Sequence, residues 1–301
     1  MHARNQRQAM LLGIAAVILW STVATAFKLS LQVMTPTQLL AWAGLTSMLV
    51  LAGFVTAERR WLEVADTLRD RPLYYLCMGA LNPCFYYLIL LRAYDLLPAQ
   101  QAQAINYTWA LTLSLLAVPL LKQRLTVRDG LALLIGYFGA VVIATRGNLL
   151  ALQFDSGLGV SLALGSTVLW ALYWILNTRS SASGAVSLFL CFALGTPLVW
   201  LVLALQGEVA LPGLQGLAGA VYVGLFEMGV TFMLWLLALR RAEHVSRIGN
   251  LIFLAPFLSL FLISKFLGET IVPATWIGLV LIIFGVVLQQ RGRAPEVATA
   301  S

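Results

Sequence analysis

The chain has 301 residues, of which 60% are hydrophobic and only 10% charged, with a mean hydropathy of +0.89. A soluble domain carries roughly 45–50% apolar and about 25% charged residues, so this composition excludes a soluble globule and indicates a polytopic membrane protein. The net charge of +7 is not a nucleic-acid footprint, because the basic residues sit at the ends of apolar runs, where they orient membrane helices.

The N-terminal MHARNQRQAMLLGIAAVILW has the basic-then-apolar order of a signal peptide. Its apolar run continues to Phe27, too long for such a peptide, and similar runs follow, so it reads as a retained first span. A bilayer core needs about 20 apolar residues per helix. Ten runs qualify, at 9–28, 36–57, 73–92, 100–121, 127–146, 157–178, 185–206, 214–240, 245–267 and 273–290. The fold class is therefore an all-α membrane protein of ten transmembrane helices. Between spans 2 and 3, ERRWLEVADTLRDRP mixes charges with Trp61, Leu62, Val64 and Leu68. That suits either a short helix in the membrane interface or a solvated loop. Pro83, Pro119, Pro197 and Pro256 fall within spans 3, 4, 7 and 9. Each removes a backbone donor and opens its helix locally, as a fixed bend or as a hinge; Pro83, Pro119 and Pro256 are the hinge candidates.

Ten spans put both termini on one face. That face collects Arg4, Arg7, Arg59, Arg60, Arg69, Arg71, Lys122, Arg124, Arg128, Arg179, Arg240, Arg241, Arg247, Arg291 and Arg293, whereas the other holds only Lys28, Arg92, Arg146 and Lys265. By the positive-inside rule both termini, with His2 and His244, are cytoplasmic.

The chain also repeats itself. ILWS at 18–21 matches VLWA at 168–171, LLRA at 90–93 matches LRRA at 239–242, and LIGYFGAVV at 134–142 matches VLIIFGVVL at 280–288. Residues 1–150 and 151–301 are thus read as two copies of five spans each, the second ending in a short cytoplasmic tail. An odd number of spans inverts the second copy, and inverted repeats are the mark of secondary transporters with a site at the midplane between the repeats.

Three stretches carry a family likeness: ILWSTVATAFK, VLWALYWILNT, and the closing APFLSLFLISKFLGETIVPATWIGLVLIIFGVVLQQ with its Gly268-Glu269 turn. They resemble EamA-type carriers of the drug/metabolite transporter superfamily, and among these the bacterial aromatic amino acid exporters. The resemblance implies ten helices around a central cavity lined by spans 1, 3, 4, 6, 8 and 9. The first copy departs from the pattern, with Lys122 and Gln123 in place of Gly-Glu.

Deep aromatics and amides supply the candidate substrate-binding residues. Trp20 and its repeat mate Trp170 lie well inside their spans, and Tyr173 and Trp174 follow Trp170 at helical spacing. Asn82 and Tyr86 sit on span 3, Tyr107 and Trp109 on span 4. Aromatic walls stack flat rings and attract an ammonium by cation–π interaction. Glu227 is alone at mid-span in AVYVGLFEMGVTFMLWLLAL, where a carboxylate costs several kcal/mol to insert; it is either a substrate or proton ligand or a protonated structural donor.

Cys77, Cys84 and Cys191 read as packing residues, and no metal pattern, cofactor motif or phosphate loop occurs. The expected function is a monomeric, non-enzymatic secondary carrier in the bacterial inner membrane. It would export amino acids, aromatic ones favoured, by alternating access. The alternatives are a multidrug or organic-cation exporter, another small-metabolite carrier of the same fold, and a passive pore or scramblase.

Overall fold

The computed structural model of the chain describes residues 5–150 and 154–290. His2, Arg4, Arg291 and Arg293 lie outside them, as does the rest of the C-terminal tail. Ten helices follow in chain order: α1 (Gln6–Leu31), α2 (Pro36–Ala57), α3 (Pro72–Leu96), α4 (Ala99–Leu121), α5 (Val127–Ala144), α6 (Gly157–Asn177), α7 (Gly184–Leu205), α8 (Leu214–Arg241), α9 (Arg247–Leu267) and α10 (Pro273–Gln290). The first nine are long and apolar enough to cross a membrane; α10 is an apolar helix slightly shorter than that.

Local chemistry sets the ends. Thr35 and Gln38 form a capping box ahead of Pro36 at the start of α2, and Thr126 with Asp129 does the same for α5. Lys122 and Gly268 end α4 and α9 in the left-handed conformation, at φ 54° and 68°. The two turns thus share a backbone shape although their sequences differ. Between α2 and α3 the ambiguous segment forms a helix, Trp61–Asp70, with Val64 buried and Leu62 exposed.

The two halves exchange partners. α1 packs mainly against α8 and α9, and its repeat mate α6 packs mainly against α3 and α4. α2 meets its mate α7, and α5 meets its mate α10 along its length. A two-fold relation between five-helix copies produces this pattern.

Glycines mark the tightest seams. A Cβ at Gly79 of α3 would stand 2.6 Å from the Cys191 carbonyl oxygen of α7, and one at Gly139 of α5 would stand 2.5 Å from the Gly278 carbonyl oxygen of α10. α4 and α9 pack less extensively, chiefly through their Ala99–Asn106 and Ala255–Leu267 segments.

Candidate transport cavity

Four helices are interrupted along their length. α3 carries a π-type segment, Ala80–Phe85, within which Asn82 is extended at φ −144°, ψ 116°. α8 carries another, Gly224–Gly229, which includes Glu227. α4 breaks at Tyr107–Thr108, and α9 winds as a 3₁₀ helix over Asn250–Leu254. Within a bilayer, non-helical backbone is tolerated where it is buried in protein or lines a cavity.

A cavity of about 330 Å³ lies among these breaks, lined by residues of α1, α3, α4, α6, α8 and α9, with Val286 of α10. Its walls are largely rings. Tyr86 stacks on Trp170 with centroids 4.6 Å apart, Trp174 meets Trp170 edge-on at 5.8 Å, and Trp20 lies 5.5 Å from Phe232 and 5.4 Å from Trp235. Glu227 is the one acidic residue in this lining. Its Oε1 accepts a hydrogen bond from the Tyr87 hydroxyl at 3.0 Å, and its backbone carbonyl accepts one from Trp20 Nε1 at 3.4 Å. Asn106 Nδ2 donates to Ser166 Oγ at 3.0 Å, tying α4 to α6. Gln103 Oε1 and Trp174 Nε1 are buried without a protein partner, although both residues line the cavity.

Toward the face away from the termini, Phe27 and Tyr94 meet edge-on at 5.2 Å, both buried. On that face Glu269 caps α4 across the two copies: Oε1 accepts from the Ala99 amide at 2.8 Å and Oε2 from the Gln100 amide at 3.3 Å. Gln100 Oε1 in turn accepts from the Val272 amide and the Thr275 hydroxyl. Toward the termini, Trp109 and Ala110 of α4 and Gly249, Ile252 and Phe253 of α9 stand on the cavity wall.

The profile of the EamA-like transporter family matches residues 7–145 and again 157–289. The chain belongs to the EamA-like transporter family. Among its relatives, a protein of Ancylobacter novellus named aromatic amino acid exporter YddG is 26% identical over 86% of this chain and 88% of its own length. One of Streptantibioticus cattleyicolor named probable terminal-alkyne amino-acid exporter is 28% identical over 77% and 78%. Bacillus subtilis YvbV, named an uncharacterized transporter, is 25% identical over 75% and 74%. A solved crystal structure superposes with a TM-score of 0.67 at 24% identity, covering 96% of this chain and 100% of that one, and shows the same fold.

In this EamA-family bundle Trp20, Tyr86, Tyr107, Trp109, Trp170, Trp174 and Glu227 come together on the cavity wall. Asn82 and Tyr173 do not reach it. Tyr173 is buried and stacked on Trp170 at 5.6 Å, and Asn82 is buried in the irregular part of α3. Of the hinge candidates, Pro83 lies within the π-type segment of α3. Pro256 begins the regular helix after the 3₁₀ stretch of α9. Pro119 lies in the last turn of α4, well beyond that helix's break.

Sequence reading missed several residues. Phe27, Tyr94, Gln103, Phe232 and Trp235 line the cavity, and Tyr87 holds Glu227. Gln103 had a signal: it lies in AQQAQ, a run of amides within an otherwise apolar span. Lys28, near the end of α1, turns its Nζ to the Tyr94 carbonyl at 2.7 Å. Among the described residues, no three His, Cys, Asp or Glu are grouped as metal ligands.

Proposed function

We propose that this chain is a secondary carrier exporting amino acids, aromatic ones favoured, by alternating access across the bacterial inner membrane, with both termini cytoplasmic. The observation that carries this reading is an aromatic-walled cavity at mid-depth whose single carboxylate is Glu227. Its volume of about 330 Å³ falls in the range of sites for small organic ligands. The rings of Trp170, Tyr86 and Trp20 offer stacking faces, and Glu227 with Gln103 Oε1 offers acceptors for an α-ammonium. Trp174 Nε1 offers a donor for the carboxylate. A buried polar atom without a partner costs about 1–3 kcal/mol, which bound polar groups of a substrate offset. The relatives named aromatic amino acid exporter and probable terminal-alkyne amino-acid exporter favour the same class. We read the protein as a monomer whose lipid-facing helices need no partner chain, with no chemical step of its own.

An organic-cation exporter is the second reading, supported by Glu227 alone among rings. Reconstitution into liposomes separates the two. Labelled Phe, Trp and Thr and a cationic dye are offered with and without a proton gradient. Saturable amino acid flux is expected; rapid dye flux without it sinks the leading reading, and flux that does not saturate indicates a pore. Glu227→Gln is expected to abolish transport while Glu227→Asp keeps part of it. Normal transport by Glu227→Gln removes the carboxylate from the mechanism.

A further inference from the structure

Beyond the Phe27–Tyr94 pair lies a second chamber, about 280 Å³, at the face away from the termini. It is lined by Lys28, Leu31 and Gln32 of α1, Asp95 of α3, Leu267 of α9 and Glu269 of the following turn. Phe27 and Tyr94 line the central cavity, while their chain neighbours Lys28 and Asp95 line the outer one.

The charges in this chamber are left unjoined. Asp95 is paired with Arg92, outside the chamber lining. Glu269 accepts from the first amides of α4. Among the described residues Lys28 forms an ion pair with neither; its hydrogen bond goes to the neutral Tyr94 carbonyl. An ammonium has three donors, and a carboxylate is a stronger acceptor for them than a carbonyl. One cation and two carboxylates around a small chamber offer partners to both ends of a zwitterion.

We propose that Lys28, with Asp95 and Glu269 opposite, forms an exit site for the zwitterionic head of an amino acid leaving the central cavity. The proposal rests on the exporter reading above. The substrate carboxylate takes Lys28 from the Tyr94 carbonyl, which unties α1 from α3 beside the ring pair, while the ammonium faces the two acids. Lys28 thus acts on passage through the outer wall and not on binding in the central cavity.

The test is Lys28→Gln and Lys28→Arg in liposomes, with substrate binding followed by fluorescence of the central tryptophans. Losing one charge-assisted bond on the exit path is expected to slow Phe export about tenfold for Lys28→Gln, with the central Kd changed less than about twofold. Lys28→Arg is expected to retain most of the rate. An unchanged rate in Lys28→Gln overturns the proposal. So does a Kd weakened in step with the rate, which places Lys28 in the central site, or an Arg variant as slow as the Gln one. Should Lys28→Gln not fold, Asp95→Asn gives the same reading from the opposite wall: slower export at unchanged Kd, with an unchanged rate again overturning the site. Wild-type liposomes that carry no amino acid defeat the exporter reading itself. Amino acid flux indifferent to Lys28 and Asp95 defeats only the exit site.

Discussion

Two pairs of repeat mates, α5 with α10 and α4 with α9, do opposite things with the same symmetry. α5 and α10 meet along their length, with Gly139, Gly278 and Gly285 each too close to the facing helix for a Cβ to fit without displacement. α4 is interrupted at Tyr107–Thr108 and α9 near its start at Asn250–Leu254, and the two meet mainly through Ala99–Asn106 and Ala255–Leu267, where Glu269 and Gln100 join the copies. Beyond these segments their walls stand apart with the cavity between. A membrane protein lacks a hydrophobic driving force between helices, so close backbone packing holds a seam together. By that measure α4 and α9 are the less tightly joined pair. The loose pair also has unequal ends: the turn after α9 supplies Glu269, whereas its counterpart after α4 supplies Lys122 and Gln123. Among the described residues, no hydrogen bond joins Gln123 to α9.

Breaking the tight seam is expected to have the largest effect. Gly139→Leu forces a side chain where a Cβ already stands 2.5 Å from the Gly278 carbonyl oxygen. Overpacking of this kind costs about 1–3 kcal/mol or more, so a large fall in melting temperature and in monodisperse yield is expected. Gly249→Leu, on the loose pair, is the matched control. No atom lies within 4 Å of a Cβ there, and the residue lines the cavity. Its melting temperature is expected to stay near wild type while transport falls severalfold or more; equal melting losses in both variants would abolish the contrast.

Glu269→Ala leaves two α4 amides without their acceptor. A lost cap costs about 0.5–2 kcal/mol, and thiol labelling of a cysteine placed at Tyr94 should rise from the face away from the termini. Labelling that does not change would separate Glu269 from closure.

The smallest effect concerns the surface helix Trp61–Asp70. Burial pushes the Glu63 carboxyl up, but hydrogen bonds from the Ser183 amide and from Arg60 outweigh it and hold the carboxyl below its usual value. A carboxyl lowered on folding stabilises the protein above its ordinary pKa of about 4.3, and that contribution is lost as pH falls through the folded value. Wild type should therefore lose slightly more thermal stability than Glu63→Gln when acidified through this range, and parallel melting curves would remove the tie.

The sequence announced the ten helices because apolar runs of bilayer length have few other uses, and it announced the repeat through Trp20 with Trp170 and Gly139 with Gly285. The breaks were harder to read. Proline marks the one in α3, but the break in α4 falls at Tyr107–Thr108, and Pro119 lies far from it. Such breaks are held by tertiary surroundings and not by local propensity. Rotational phase was also hidden. Tyr173 and Trp174 flank the direction of Trp170 on either side, since each residue turns a helix by about 100°. Only the packing of α3 decides that Trp174 faces the cavity and Tyr173 lies behind. Asn82 escapes the same arithmetic because its backbone is extended.

The π-type segment of α8 carries this further. A wider turn resets the angular count, so the residues after Gly229 are not continuous in phase with those before Gly224. Before the segment, Tyr222 bonds Thr22 in a groove on the other side of α1; after it, Phe232 and Trp235 face the central cavity. α8 therefore has two addresses along one axis. A helical wheel drawn through all of Leu214–Arg241 averages them away.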